Sequence, residues 1–240
     1  MKTPPPDAAR FLTTRWTVLS AAGADGAERE RAREQFCRTY WYPVYSFIRR
    51  RGAGPEDAMD LTQGFFQKIL AGDWLAGLER RETRFSTLLL TVLKNFLASE
   101  HTHGQRLKRG GGVEHLPLNG AEAESWFGAE PATHETPERI FERRWALAVL
   151  DAAFEALKAE CEASGKQALF AELSPFLSQE PARGEYERAG QALGLSANAV
   201  GVAVHRLRRQ YREFVREEVA AGLRDSGMVD EELLHLAAAL

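Results

Sequence analysis

An all-α fold is predicted by three features of this 240-residue sequence. Apolar residues recur at three- and four-residue steps almost throughout, which is the period of a helix with one buried stripe. Strand-like alternation is nearly absent. One stretch rich in glycine, proline and glutamate interrupts the periodicity, which predicts two helical domains joined by a flexible acidic linker.

Composition fits an ordinary soluble globular protein, with 44% hydrophobic and 27% charged residues. No window approaches the ~18 apolar residues of a membrane span, and the start MKTPPPDAARF lacks the apolar core of a secretory signal. Cys37 and Cys161 alone cannot form a disulfide framework. A cytoplasmic protein with reduced thiols is expected, with no membrane insertion. The net charge of −3 hides a polarity: residues 1–109 hold 18 Lys+Arg against 12 Asp+Glu, residues 110–240 hold 13 against 22. Bulk charge does not make this a nucleic-acid binder, so any DNA contact has to be local or assisted by a partner.

Residues 1–10 are expected to be a disordered tail, and the first helical block to run over 11–109. In PEDAMDLTQGFFQKIL (55–70), Leu61, Phe65, Phe66 and Ile69 make a core stripe, while Asp60, Gln63 and Gln67 lie on other faces. RFSTLLLTVLKNFLASEHTHGQRLKR (84–109) is a second long helix with Leu89, Val92, Leu93 and Phe96 on its apolar side and a basic far end. Residues 110–138 carry six glutamates and no lysine or arginine, so 110–137 is expected to be linker. Helix resumes at Thr136-Pro137-Glu138, where Thr can cap, Pro suits the first helical position and Glu favours the positive helix end. The second block extends over 138–219, followed by a C-terminal helical extension, 220–240. That extension is expected to pack on the second block, with contact to a regulator as the alternative.

A helix-turn-helix is predicted at 185–213. The first helix spans roughly 185–193, Gly190 allows close helix approach, and Gly194 takes a left-handed turn position. Leu195 is expected to tuck into the core and Ser196 to cap the second helix. Val200, Val204, Leu207 and Tyr211 form its buried stripe. Asn198, His205, Arg206, Arg208, Arg209 and Arg212 are expected on the other side. Five arginines face one glutamate over 205–216, enough to neutralise several phosphates. The alternative is a solvated basic face on a structural helix.

Catalysis has little support. There is no GxxxxGK, HExxH or nucleophile elbow. His101 and His103 sit about 200° apart on a helix, so they do not share a metal easily, and neither metal nor cofactor is expected. Asp57 and Asp60, on adjacent turns, read as interface acids rather than ligands. Trp74, Phe85 and Phe96 are core aromatics or stacking platforms for unpaired bases.

Four segments together carry a family likeness: FCRTYWYPVYSFIRRRG (36–52), DAMDLTQGFFQKIL (57–70), RFSTLLLTVLKNFLASE (84–100) and AGQALGLSANAVGVAVHRLRRQYRE (189–213). In this order the chain resembles bacterial extracytoplasmic-function sigma factors, the smallest class of the sigma-70 family. The likeness covers residues 11–219; TTRWTVL and ELLHLAAAL resemble a variant group with extended termini.

The resemblance implies a non-enzymatic specificity subunit whose partners are core RNA polymerase and promoter DNA. An anti-sigma factor or other regulator is a further partner. By the resemblance, Asp57, Asp60, Leu61, Gln63 and Phe66 bind core polymerase, although Gly64 stands where the family has an acidic residue. Arg84, Phe85, Lys94, Asn95, Arg106, Lys108 and Arg109 meet the −10 element, where cations hold the backbone and a pocket receives a flipped base. The linker threads the polymerase cleft. Ser196, Asn198, His205, Arg206, Arg208, Arg209 and Arg212 contact the −35 element. Gly201 and Ala203 replace Lys and Arg of many members, which implies looser base readout there. A free-standing helix-turn-helix regulator and a helical scaffold are the alternative readings.

Overall fold

The computed structural model describes residues 26–71, 85–103, 120–130, 134–221, 223 and 226–240. Among these residues the chain is all-helical, without a strand. The helices are α1 (Gly26–Arg50), α2 (Pro55–Leu70), α3 (Phe85–His103), α4 (Gly120–Ala129), α5 (Pro137–Ala163), α6 (Gln167–Leu173), α7 (Glu185–Leu193), α8 (Ala197–Ala221) and α9 (Val229–Ala239). Among the described residues no helix is long and apolar enough to cross a membrane. The expected tail 1–10, TTRWTVL, Trp74 and residues 110–119 lie outside the described residues.

The described parts of Met1–Ala148 and Ala220–Leu240 form one compact unit, and Val149–Val219 the other. This division differs from the expected blocks, because it falls inside α5 rather than within 110–137. The apolar stripe of α5 runs unbroken from Ile140, Phe141 and Trp145 to Val149, Ala153, Leu157 and Cys161, all buried, so nothing in its sequence marks a boundary.

In the first unit the later half of α1 is buried nearly all round: Phe36, Tyr40, Trp41, Val44, Tyr45, Phe47 and Ile48 are each at most 3% exposed. Aromatic rings join it to its neighbours. Trp41 stacks on Phe66 of α2 at 5.6 Å, Tyr40 meets Phe85 of α3 at 5.2 Å, and Phe47 meets Phe141 of α5 at 5.9 Å. The start of α5 is built as expected: Pro137 is its first residue, and the Arg139 N–H donates to Thr136 Oγ1 at 3.3 Å. Residues 220–240 belong to this unit. Val229 and Leu236 of α9 are buried, and His235 lies 6.2 Å from the Trp145 ring. The C-terminal helix therefore packs on residues of the expected second block that cluster with the first unit.

Residues expected to be flexible linker instead include the helix α4. Acidic composition suggests an extended chain, but here the carboxylates find fixed cations. Arg49 of α1 binds Glu124 through Nε (2.9 Å) and Nη2 (2.7 Å), and Tyr45 donates to the same carboxylate. Glu130, just beyond α4, receives Arg50, Arg144 and the Tyr42 hydroxyl. The Phe127 ring lies beneath the guanidiniums of Arg49 (4.6 Å) and Arg50 (5.4 Å). Burial, and then the bond to Glu124, pushes the Tyr45 phenol up to about 12, so it stays a donor.

The Arg49 hydrogen bonds hold the Glu124 carboxyl below the usual glutamate range, against the burial that raises it. A depressed folded-state value means that the stabilisation is present above the unfolded value, about 4.3, and fades as pH falls through the folded one. Thermal unfolding of Glu124→Gln should lie below wild type at neutral pH, and the gap should close in acid. A pH-independent gap would disprove the contribution of this charge.

Candidate functional site

Two structural settings hold the sequence-predicted residues. In the first unit, α2 presents Asp57 and Asp60 to solvent, with Leu61 and Gln63 half-buried beside them. Phe66 is not on this surface. It is fully buried between Trp41, Phe36 and Phe65, as its place in the expected core stripe predicts, and it is not exposed as the polymerase contact implied by the resemblance requires. The buried stripe is Ala58, Thr62, Phe65, Phe66 and Ile69, which holds three of the four expected residues and leaves Leu61 half-buried. Thr62 can occupy it because its hydroxyl donates to the Ala58 carbonyl at 2.6 Å. Gly64 faces α3: a Cβ built there would stand 3.4 Å from the Phe96 ring.

On α3, Phe85 is 5% exposed and packs on Phe36 and Tyr40, and Phe96 is buried as well. Neither ring is open for base stacking. Lys94 is half-buried and paired with Glu138 of α5 at 2.9 Å, which holds that carboxyl below the usual range. Asn95 is exposed. Arg84, Arg106, Lys108 and Arg109 lie outside the described residues, as does the His103 side chain. Among the described residues no three His, Cys, Asp or Glu side chains form a group able to hold a metal.

In the second unit, α7 and α8 are joined by Gly194–Ser196. Gly194 adopts φ 67°, ψ 31°, a conformation that disfavours any residue with a Cβ. The Leu195 N–H donates to the Gly190 carbonyl at 2.8 Å, and the Ala199 N–H donates to Ser196 Oγ at 3.2 Å, capping α8. Gly190 is required by contact rather than by torsion, since a Cβ there would stand 2.5 Å from the Leu195 carbonyl oxygen. Leu195 itself is 39% exposed, not tucked into the core as expected. Its main chain fills the space beside Gly190.

Val200, Val204 and Leu207 are buried against Leu157, Phe170, Leu173 and Phe176, with Tyr211 partly buried beside them. The Tyr211 hydroxyl donates to the Leu150 carbonyl at 3.0 Å. Gly201 and Ala203, expected at the DNA groove, flank this stripe instead. A Cβ at Gly201 would lie 3.5 Å from the Tyr186 ring, and Ala203 packs on the core.

Asn198, His205, Arg206, Arg209 and Arg212 are exposed, as is Ser196. Arg209 reaches Glu213 at only 3.8 Å, with both side chains open to solvent, a pairing of little worth. Arg206 and Arg212 have no hydrogen bond or ion pair to the described residues. Arg208 behaves differently. It is half-buried, and its Nε and Nη2 donate to the carbonyls of Phe176 (2.8 Å) and Gln179 (3.0 Å). It ties α8 to the end of the turn Ser174–Leu177, which corrects its expected place on the DNA face. The signal was available: Arg208 follows buried Val204 by four residues, on the stripe side of the helix.

The comparison with protein-family models, curated proteins and solved structures finds no match to this chain.

The two glycines give opposite expectations. Gly190→Ala should destabilise the second unit by about 1–3 kcal/mol, because backbone must move. Gly201→Ala should stabilise it by up to about 1 kcal/mol, because Ala is a better helix former and Tyr186 leaves room. Urea unfolding of both variants checks the pair, and equal effects would refute the assigned packing.

Proposed function

We propose that the chain is a dissociable sigma subunit, which binds core RNA polymerase and directs it to promoter DNA. The observation that carries this reading is the α7–Gly194–α8 arrangement. It has the parts of a DNA-docking helix-turn-helix: a glycine at the close approach, a left-handed turn glycine, a serine cap and an exposed cationic face. The first unit supports it from another side. Asp57 and Asp60 are solvent-facing acids on α2, in the D-x-x-D-L-x-Q segment that resembles the polymerase-binding helix of the extracytoplasmic-function class. In this reading α8 docks at the −35 element and the first unit acts at the −10 element, with no enzymatic activity or cofactor of its own.

The inward placement of Gly201 and Ala203 changes what is asked of α8. Its DNA-facing set is Asn198, His205, Arg206, Arg209 and Arg212, and the two short residues accommodate Tyr186 and the core rather than lie bare in the groove. Arg206 and Arg212 supply phosphate neutralisation, and Arg208 supplies rigidity. Tethering to polymerase raises the effective concentration of each DNA contact, so neither has to bind tightly alone.

Reconstitution with core polymerase on a promoter library tests the reading. Transcripts with defined starts that require the protein are expected. Operator binding without polymerase would favour a free-standing regulator, and neither activity would leave a scaffold. Asp60→Arg should lose polymerase retention while unfolding at the wild-type temperature; full retention would refute the role of α2.

The arginines of α8 should separate into two kinds. Arg206→Ala and Arg212→Ala should each lower the log–log salt slope of promoter binding by about one and leave stability unchanged. Arg208→Ala should instead lower stability by about 1–3 kcal/mol through its lost carbonyl bonds. A salt-slope effect from Arg208 with normal stability would reverse its assignment.

A further inference from the structure

One apolar side chain stands in the middle of the polar face of α8. Val202 is 46% exposed, with exposed Asn198 four residues before it and exposed Arg206 four after. Residues at this spacing form one ridge along a helix. The buried stripe of Val200, Val204 and Leu207 accounts for the packing of this segment, and Val202 takes no part in it. Water disfavours the exposed isopropyl group, and Ala would serve the helix better.

We propose that Val202 reads the 5-methyl group of a thymine in the major groove. This rests on the reading of α8 as the DNA-docking helix and names the base chemistry that it recognises. The major groove displays one apolar group, the thymine methyl, among hydrogen-bonding edges. A β-branched side chain on a helix is held near one χ1 rotamer, so the two methyls of Val202 are fixed before contact. The neighbours on the ridge have matching chemistry: Asn198 suits the N6/N7 edge of adenine and Arg206 the O6/N7 edge of guanine. The surrounding charge is complementary, because Arg206 and Arg212 have no intramolecular partner among the described residues. Leu195, 39% exposed at the turn, is the rival apolar contact, and the test separates the two.

The full-length chain, assembled on core RNA polymerase, selects duplexes from a randomised library. Each dT of the recovered duplex is then replaced by dU, which removes only the methyl. Wild type should lose about three- to fivefold in affinity at one or two positions, the worth of one methyl-sized group. Val202→Ala, whose exposed position predicts unchanged thermal unfolding, should bind dT and dU duplexes equally at that position. Leu195→Ala should keep the discrimination.

A selected site read without any dU sensitivity overturns this inference and leaves the proposed function standing. So does discrimination lost in Leu195→Ala but kept in Val202→Ala. Recovery of no specific duplex overturns the proposed function and this inference together.

Discussion

The carboxylate of Glu130 is only 4% exposed, and the arrangement of the first unit around α4 depends on neutralising it. An ionised carboxylate is that deeply placed only where several donors meet it. Arg50 from α1 and Arg144 from α5 supply charge, and Tyr42 from α1 supplies a hydroxyl. Three segments distant in sequence are thereby fixed to one point. Glu124 and Arg49, six and one residues earlier than Glu130 and Arg50, repeat the device with a better solvated pair. Acidic residues that suggest a free chain by composition become the anchors of a helix.

The second unit depends on a contact of another kind. Gly190 leaves room for the Leu195 carbonyl, and that approach sets how closely the chain can reverse between α7 and α8. Any Cβ would intrude. The turn thus fixes the rotation of α8, and with it which side chains face solvent. Arg208 secures the same rotation from the far side through two main-chain carbonyls.

Helical class, the limits of α7, the start of α8 with its cap at Ser196 and the start of α5 were legible because each rests on local rules: apolar period, left-handed glycine, Ser or Thr before a helix. The destination of charge was not. Composition counts Arg49, Arg50, Arg144, Lys94 and Arg208 as cations available to DNA, yet each meets an acceptor supplied by another segment. Their partners lie 29 to 80 residues away or, for Arg144, beyond the start of α5, and no periodicity reports that pairing. Phe66 and Phe85 failed for a related reason. A motif likeness marks them as contacts, while a large ring on the apolar side of a helix is drawn into the core first.

Sorting cations by what already binds them sharpens the proposed DNA-facing surface. An arginine held by two carbonyls would have to give up both bonds to reach a phosphate, whereas an exposed unpaired one loses only side-chain freedom and water. In the proposed function, the contribution of α8 to a polyanion therefore comes chiefly from Arg206, Arg209 and Arg212, aligned with Asn198 and His205, and not from all the arginines in the segment. The same sorting accounts for Gly201 and Ala203. On the side where α8 meets Tyr186 and the core, short residues leave room for that ring and that packing. What looked like a depleted reading helix is a helix whose packing side and solvent side are cleanly divided.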